Sequence, residues 1–217
     1  MSLSWSQIFR LGLVQMALGS IVVLTTSTLN RLMVVELSLP ALLPGVLVGL
    51  HYGIQLSRPR WGFRSDVGGN RTRWIIGGMI ALALGGVGAT YAVTLFAVHY
   101  WLALTASIMS YGLIGIGVGA SGTSLLALLA TATAAHRRAA AATITWLMMI
   151  FGIALTAGVA GQFLDPYTPE RLMTVVITIA LLAILLTVLA IWNIERSVSP
   201  RASEPDIPFQ EALREVW

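Results

Sequence analysis

The chain has 217 residues, of which 57% are hydrophobic and only 10% charged, with mean hydropathy +0.83. Soluble globular domains average about 45–50% apolar and about 25% charged residues, so this composition excludes a disordered chain, a nucleic-acid-binding arm and an ordinary cytosolic enzyme. There is no Cys and no Lys, which removes disulfides, thiolate metal sites, Cys nucleophiles and lysine Schiff-base or phosphate-loop chemistry. The net charge of +4 rests on 13 arginines. In so apolar a chain it reads as the arginine excess of cytoplasmic loops, not as a nucleic-acid surface.

A bilayer core of about 30 Å needs roughly 20 apolar residues per helix. Six segments qualify: 9–30, 38–57, 74–97, 102–133, 142–163 and 172–194. Lipid cannot satisfy free backbone groups, so each is expected to be helical. The first begins too late and runs too long for a signal peptide. Pro40 and Pro44 fall at the start of the second, where a first helical turn tolerates proline. Trp5, Trp61, Trp74, Trp101 and Trp192 fall near span ends, as an aromatic belt would. The expected fold class is an all-α membrane protein with six transmembrane helices over 1–194. Residues 195–217 would follow as a cytoplasmic linker ending in a short amphipathic helix carrying Phe209, Leu213, Val216 and Trp217.

Arginine placement sets the orientation. Arg10, the group Arg58 to Arg73, Arg137, Arg138 and the three arginines after Ile194 share one side; only Arg31 and Arg171 lie on the other. Both termini are therefore expected in the cytoplasm.

Small residues recur at four-residue spacing: Gly45, Gly49 and Gly53; Gly77, Ala81, Gly85 and Ala89; Gly115 and Gly119. Such strips let helix backbones approach closely in lipid. The bland reading is helix packing, and the sharper one is a face for a flat ligand ring.

The second and third spans are joined by Gly62, Asp66, Gly69, Arg71 and Arg73. Gly62 and Gly69 permit tight turns, and Asp66 can sit at a helix N-terminus and accept charge-assisted bonds from Arg71 or Arg73. The spacing resembles the loop signature of the major facilitator superfamily, and six spans would match one six-helix half of that fold. The competing reading is a plain positive-inside loop.

A closer resemblance lies in Thr28 to Leu37 with Arg31 and Glu36, in Leu39 to Pro44, in Gly49-Leu-His51-Tyr52, in Arg58-Pro-Arg-Trp-Gly62 and in Arg73 to Gly78. These stretches resemble the PucC/LhaA family of bacteriochlorophyll delivery proteins, densely over residues 8–80 and more loosely to 194. The resemblance implies an assembly factor, or a subunit, of a photosynthetic light-harvesting complex in a bacterial inner or intracytoplasmic membrane. It implies antenna polypeptides or a reaction-centre complex as partners, with membrane lipids around it and homo-oligomers conceivable. Bacteriochlorophyll is the implied cofactor, and no catalysis is implied. A full member would continue into six more spans.

Spans three to six contain no Asp, Glu, Arg or His, so His51 is the one ionisable group deep within a span. It lies roughly 6 Å from mid-span at 1.5 Å per residue, and Gln55 is one turn further on the same face. Given the resemblance, His51 is the candidate axial ligand for a chlorin magnesium, with Gln55 sharing the site. The bland alternative is a histidine bonded to a neighbouring helix or a water. Arg31 and Glu36 flank the short outer turn, as an ion pair or as a contact for a partner. His99 and His136 read as interfacial, and Asp165 with Pro166 and Pro169 as loop punctuation. The alternative function is a half-size major-facilitator-type transporter, although the intramembrane carboxylate common in proton coupling is missing from the spans.

Overall fold

The computed structural model describes residues 2–67 and 70–197, with the backbone alone for 63–67, 196 and 197. The described residues form helices and short connections, without strands. In chain order these are α1 (Trp5–Val23), a π-helical turn (Leu24–Thr28), α2 (Leu29–Val35), α3 (Leu42–Ile54), a 3-10 turn (Gln55–Ser57), α4 (Arg58–Val67) and α5 (Arg71–Leu95). There follow α6 (Tyr100–Ala132), a second 3-10 turn (Ala135–Arg137), α7 (Arg138–Phe163), α8 (Pro169–Ile191) and the short α9 (Ile194–Ser197).

Among the described residues, five helices are long and apolar enough to cross a membrane: Trp5–Val35, Arg71–Leu95, Tyr100–Ala132, Ala135–Phe163 and Pro169–Ile191. The segment expected as span two is different. Its α-helical part, α3, has 13 residues, or about 20 Å of rise, shorter than a bilayer core. Ser38 holds a left-handed φ of 51°, and Pro40 disfavours helix at Leu39 before it. The helix therefore begins only at Leu42, and the 3-10 turn at Gln55 interrupts it at the other end. Hydropathy alone registers neither break.

The expected loop at Gly62 is also different. Residues Arg58–Val67 are helical, so Gly62 and the backbone of Asp66 lie in a helix rather than a turn. Pro59 stands in the first turn of α4, where its missing N–H costs nothing. The Asp66 side chain, Gly69 and the amphipathic segment at 209–217 lie outside what is described. Span one starts earlier than expected because Ser4 caps it. Gln7 N donates to Ser4 Oγ at 3.3 Å, and Ser4 N donates to Gln7 Oε1 at 2.8 Å. This reciprocal pair satisfies two otherwise orphaned donors.

The most extensive helix contact is α5 on α6, followed by α1 on α7, then α1 and α5 on α8 and α3 on α6. Glycine permits three of these approaches. A Cβ on Gly78 would stand 2.8 Å from Gly117 O, one on Gly19 2.9 Å from Met149 O, and one on Gly115 2.8 Å from His51 O. The expected strips are only partly those used. Gly85, Gly115 and Gly119 do lie at contacts, against Ile114, His51 with Ile54, and Trp61. Gly45, Gly49, Gly53 and Gly77 face outward, with nothing within 4 Å of an added Cβ, and Ala81 is half-buried. Four-residue spacing marks a face of a helix without fixing what it meets. In α5 the packed face takes in Gly78 and Leu82, one residue further on than Gly77 and Ala81, together with Gly85 and Ala89 of the expected strip.

The π-helical turn widens the first span at Leu24–Thr28. Tyr111 Oη, fully buried on α6, donates to Thr25 O at 2.7 Å. Thr25 and Thr26 hydroxyls donate back to Val22 O at 3.0 and 2.8 Å. The carbonyls loosened by the turn are thus satisfied without water.

Candidate functional site

The polar residues concentrate at the arginine-rich end of the helices. Asn70 caps α5, accepting from Arg73 N at 3.3 Å. The carboxylate at this helix N-terminus is Glu195, from beyond the far end of the bundle's last long helix. Its Oε1 accepts from Arg71 N at 2.8 Å; its Oε2 accepts from Thr72 N at 2.9 Å and Thr72 Oγ1 at 2.6 Å. An anion there is favoured by the partial positive charge of the free amides. Asp66 was the sequence candidate for this role; Glu195 carried no local signal, because it is over 120 residues away in the chain.

Two arginines extend the connection. Arg71 Nη1 donates to Ala127 O at 3.3 Å and to Thr131 Oγ1, reaching the end of α6. Arg10 on α1 donates through Nε to Ala190 O at 2.8 Å and through Nη2 to Trp192 O at 2.5 Å. Its cation meets the free carbonyls that end α8. Helices α1, α8, α5 and α6 are therefore joined in series by charged groups on helix ends. Leu3 N donates to Ala132 O at 2.9 Å, and Arg137 stacks 5.5 Å from the Trp5 ring centroid, which tie the N-terminal segment to the same layer.

A second polar thread runs from this layer into α3. Arg58 donates to Gln55 Oε1, and Gln55 Nε2 stands 2.8 Å from His51 Nε2. The imidazole is fully buried, its edge against Tyr52 at 4.7 Å between centroids, and its Nδ1 has no hydrogen-bond partner. With one nitrogen bonded to Gln55 and the other enclosed, a flat macrocycle has no open approach to either in this arrangement. Beside the thread, Trp61 Nε1 donates to Ser57 Oγ at 2.9 Å, and the ring lies 5.8 Å from that of Trp74.

At the opposite end, Arg31 and Glu36 are both exposed and make no ion pair among the described residues. Glu36 instead acts on Tyr167. Burial first, then the carboxylates of Glu36 and Glu170, push that phenol above its ordinary value. An open cleft of about 570 Å³ lies nearby, lined by Tyr91, Thr94, Glu170 and Met173 among others. His99 and His136 are exposed in connections, and no group of three or more His, Asp or Glu able to hold a metal ion occurs among the described residues.

The family model described as PUCC protein matches residues 28–217. The chain belongs to the PucC family. Its relatives include the bacteriochlorophyll synthase 44.5 kDa chain of Rhodobacter capsulatus, 63% identical across the whole of this chain and 51% of that protein. Protein PucC of Rhodobacter capsulatus is 29% identical over 98% of this chain and 49% of its own length. Protein PucC of Cereibacter sphaeroides is 27% identical over 87% and 44% respectively. The chain thus spans about half the length of the curated relatives it matches. Membership of the PucC family, with five apolar helices, makes this a multi-pass membrane protein of a photosynthesis-related, bacteriochlorophyll-linked family. The thread of His51, Gln55 and Arg58 and the Glu195 cap both lie within the matched region.

Proposed function

We propose that the chain is a non-catalytic membrane assembly factor, or subunit, for a bacterial light-harvesting complex. Its partners are antenna polypeptides or the reaction-centre complex, and its ligand is bacteriochlorophyll. The carrying observation is family membership, together with a relative at 63% identity whose name is tied to bacteriochlorophyll. The physical support is a scaffold that is cross-braced at one end by helix-end charges and presents long apolar faces outward. On α7, Trp146, Leu147, Ile150 and Phe151 are all exposed. Both termini lie in the cytoplasm of this reading, on the side that holds most arginines.

The test is purification in mild detergent from a photosynthetic host. Near-infrared absorption or antenna polypeptides that stay with the chain after detergent exchange support the reading. A colourless chain that retains no antenna polypeptide overturns it. The name of the 63% identical relative, a bacteriochlorophyll synthase chain, favours a second reading, a subunit of a synthase. That reading requires the purified chain to raise the turnover of a bacteriochlorophyll precursor by its enzyme, which an assembly factor does not do.

A further inference from the structure

The open cleft lies between α5 and α8, at the end of the helices away from the arginine-rich layer. Its volume of about 570 Å³ falls in the range of roughly 300–1,000 Å³ that small-molecule sites occupy. Tyr91 and Thr94 line it from the end of α5, and Glu170, Thr174, Ile177 and Thr178 from the start of α8. The polar groups at its mouth are acceptors. Thr94 Oγ1 donates to Tyr91 O at 2.7 Å, and Thr174 Oγ1 donates to Glu170 O at 2.8 Å. Each hydroxyl hydrogen is used within its own helix, which leaves the oxygen lone pairs for a ligand. The Glu170 carboxylate, exposed in the first turn of α8, has no ion pair or hydrogen bond among the described residues. Arg171 beside it is turned to the preceding connection, its Nη1 donating to Pro166 O at 3.0 Å. Tyr91 adds an exposed aromatic ring, whose face attracts a cation. Below the mouth the lining turns apolar. Ile177 is two turns, or about 10 Å, along α8 from Glu170. By helical spacing the same faces continue as the exposed Leu84 on α5 and Leu181 and Leu185 on α8.

We propose that this cleft binds a phospholipid with a primary-ammonium headgroup, its ammonium held by Glu170 and the oxygens of Thr94 and Thr174 and its acyl chain lying along Ile177, Leu84 and Leu181. A primary ammonium has three N–H donors and no acceptor, the complement of a mouth that offers a carboxylate and acceptor oxygens. A trimethylammonium head carries the same charge without N–H donors, and a phosphoglycerol head carries the opposite charge. A soluble amine has no use for the apolar continuation of the cleft. Bound there, the lipid bridges α5 and α8 at the end opposite the Glu195 cap. The proposal requires that these helices cross a membrane, and it stands whether or not the chain binds pigment.

The test offers the full chain, purified in mild detergent, an equimolar mixture of phosphatidylethanolamine, phosphatidylcholine and phosphatidylglycerol, and counts the lipid adducts by native mass spectrometry. Wild type is expected to hold phosphatidylethanolamine about fivefold or more above either of the others, the scale of one partly exposed charge contact. Glu170→Gln keeps the shape of an exposed side chain and should abolish that preference with helix content unchanged. Ile177→Trp fills the cleft from its apolar side and should remove the adduct while leaving Glu170 in place. Glycerophosphoethanolamine, which has the head without the chains, should not compete at equal concentration. A wild type that binds the three lipids alike, or none of them, overturns the proposal. Phosphatidylcholine held as well as phosphatidylethanolamine shows that charge alone is read and overturns the primary-ammonium assignment. A preference that survives Glu170→Gln, or an adduct that survives Ile177→Trp, places the lipid elsewhere and overturns the site. Competition by the chain-free head overturns the apolar half of the assignment.

Discussion

Glu195 and Thr72 are bonded twice, Oε2 accepting from the backbone N at 2.9 Å and from Oγ1 at 2.6 Å. The same carboxylate accepts from Arg71 N at 2.8 Å. One side chain thus satisfies two of the four free amides at the start of α5 while fastening the end of the α8 region to it. Glu195→Gln keeps the shape but removes the charge. It is expected to lower stability by about 1–2 kcal/mol, read as a fall in melting temperature in detergent. Thr72→Val combined with Glu195→Gln should lose less than the sum of the two, because both changes act on the same Oγ1–Oε2 bond. Strict additivity would contradict the geometry.

Much of the fold was legible because burial in lipid writes itself into apolar run length. Four of the six expected spans match long helices nearly in place, and the first was found but begun four residues late, since Ser4 and Gln7 signal a cap and not hydropathy. The second segment holds a shorter α-helix than its apolar run suggests, because such a run does not reveal the left-handed Ser38 or the 3-10 turn at Gln55. At the arginine-rich end the sequence pointed to Arg71 and Arg73 but missed Glu195, whose role depends on two helices ending side by side. His51 and Gln55 were adjacent by simple helical spacing. Arg58 was three residues further along, and its effect on the pair needed the side-chain geometry.

The orientation proposed here has a direct chemical test. The chain has no Cys, so single cysteines report their own side. A cysteine at Asn70, the cap of α5, is expected to resist an impermeant thiol reagent in intact cells and to react after lysis. A cysteine at Thr168, the cap of α8, is expected to react from outside. Labelling of the Asn70 position in intact cells would reverse the arginine-based orientation.

Tyr167 gives the outer turn a pH signature. Its phenol is held above the ordinary value, by burial first and then by Glu36 and Glu170. The unfolded chain releases this proton near pH 10, the folded chain only at higher pH. Between those values the unfolded state binds fewer protons, so this group's contribution to stability is complete below about pH 10 and is lost as pH rises through the folded value. Wild type should therefore lose more melting temperature than Tyr167→Phe above pH 10, and the two should respond alike at pH 7–9. Glu36→Gln should bring the phenolate absorbance in at lower pH. An unmoved phenolate titration in Glu36→Gln would show that Glu36 does not act on this ring.

The two kinds of glycine make opposite demands on substitution. At Gly78 an added Cβ would stand 2.8 Å from Gly117 O, a backbone atom that cannot turn aside. Gly78→Ala is expected to force α5 and α6 apart, costing about 1–3 kcal/mol as overpacking does. At Gly49 and Gly77 the same Cβ meets nothing within 4 Å. There the change adds no clash and gains helix propensity, so Gly49→Ala and Gly77→Ala should be neutral or up to about 1 kcal/mol stabilising. Gly77 and Gly78 are neighbours in one helix, and composition, depth and local sequence are shared. A difference between them can only come from the face each presents, and the melting curves of the two variants read it directly. Equal losses at Gly77 and Gly78 would place the packed face of α5 elsewhere.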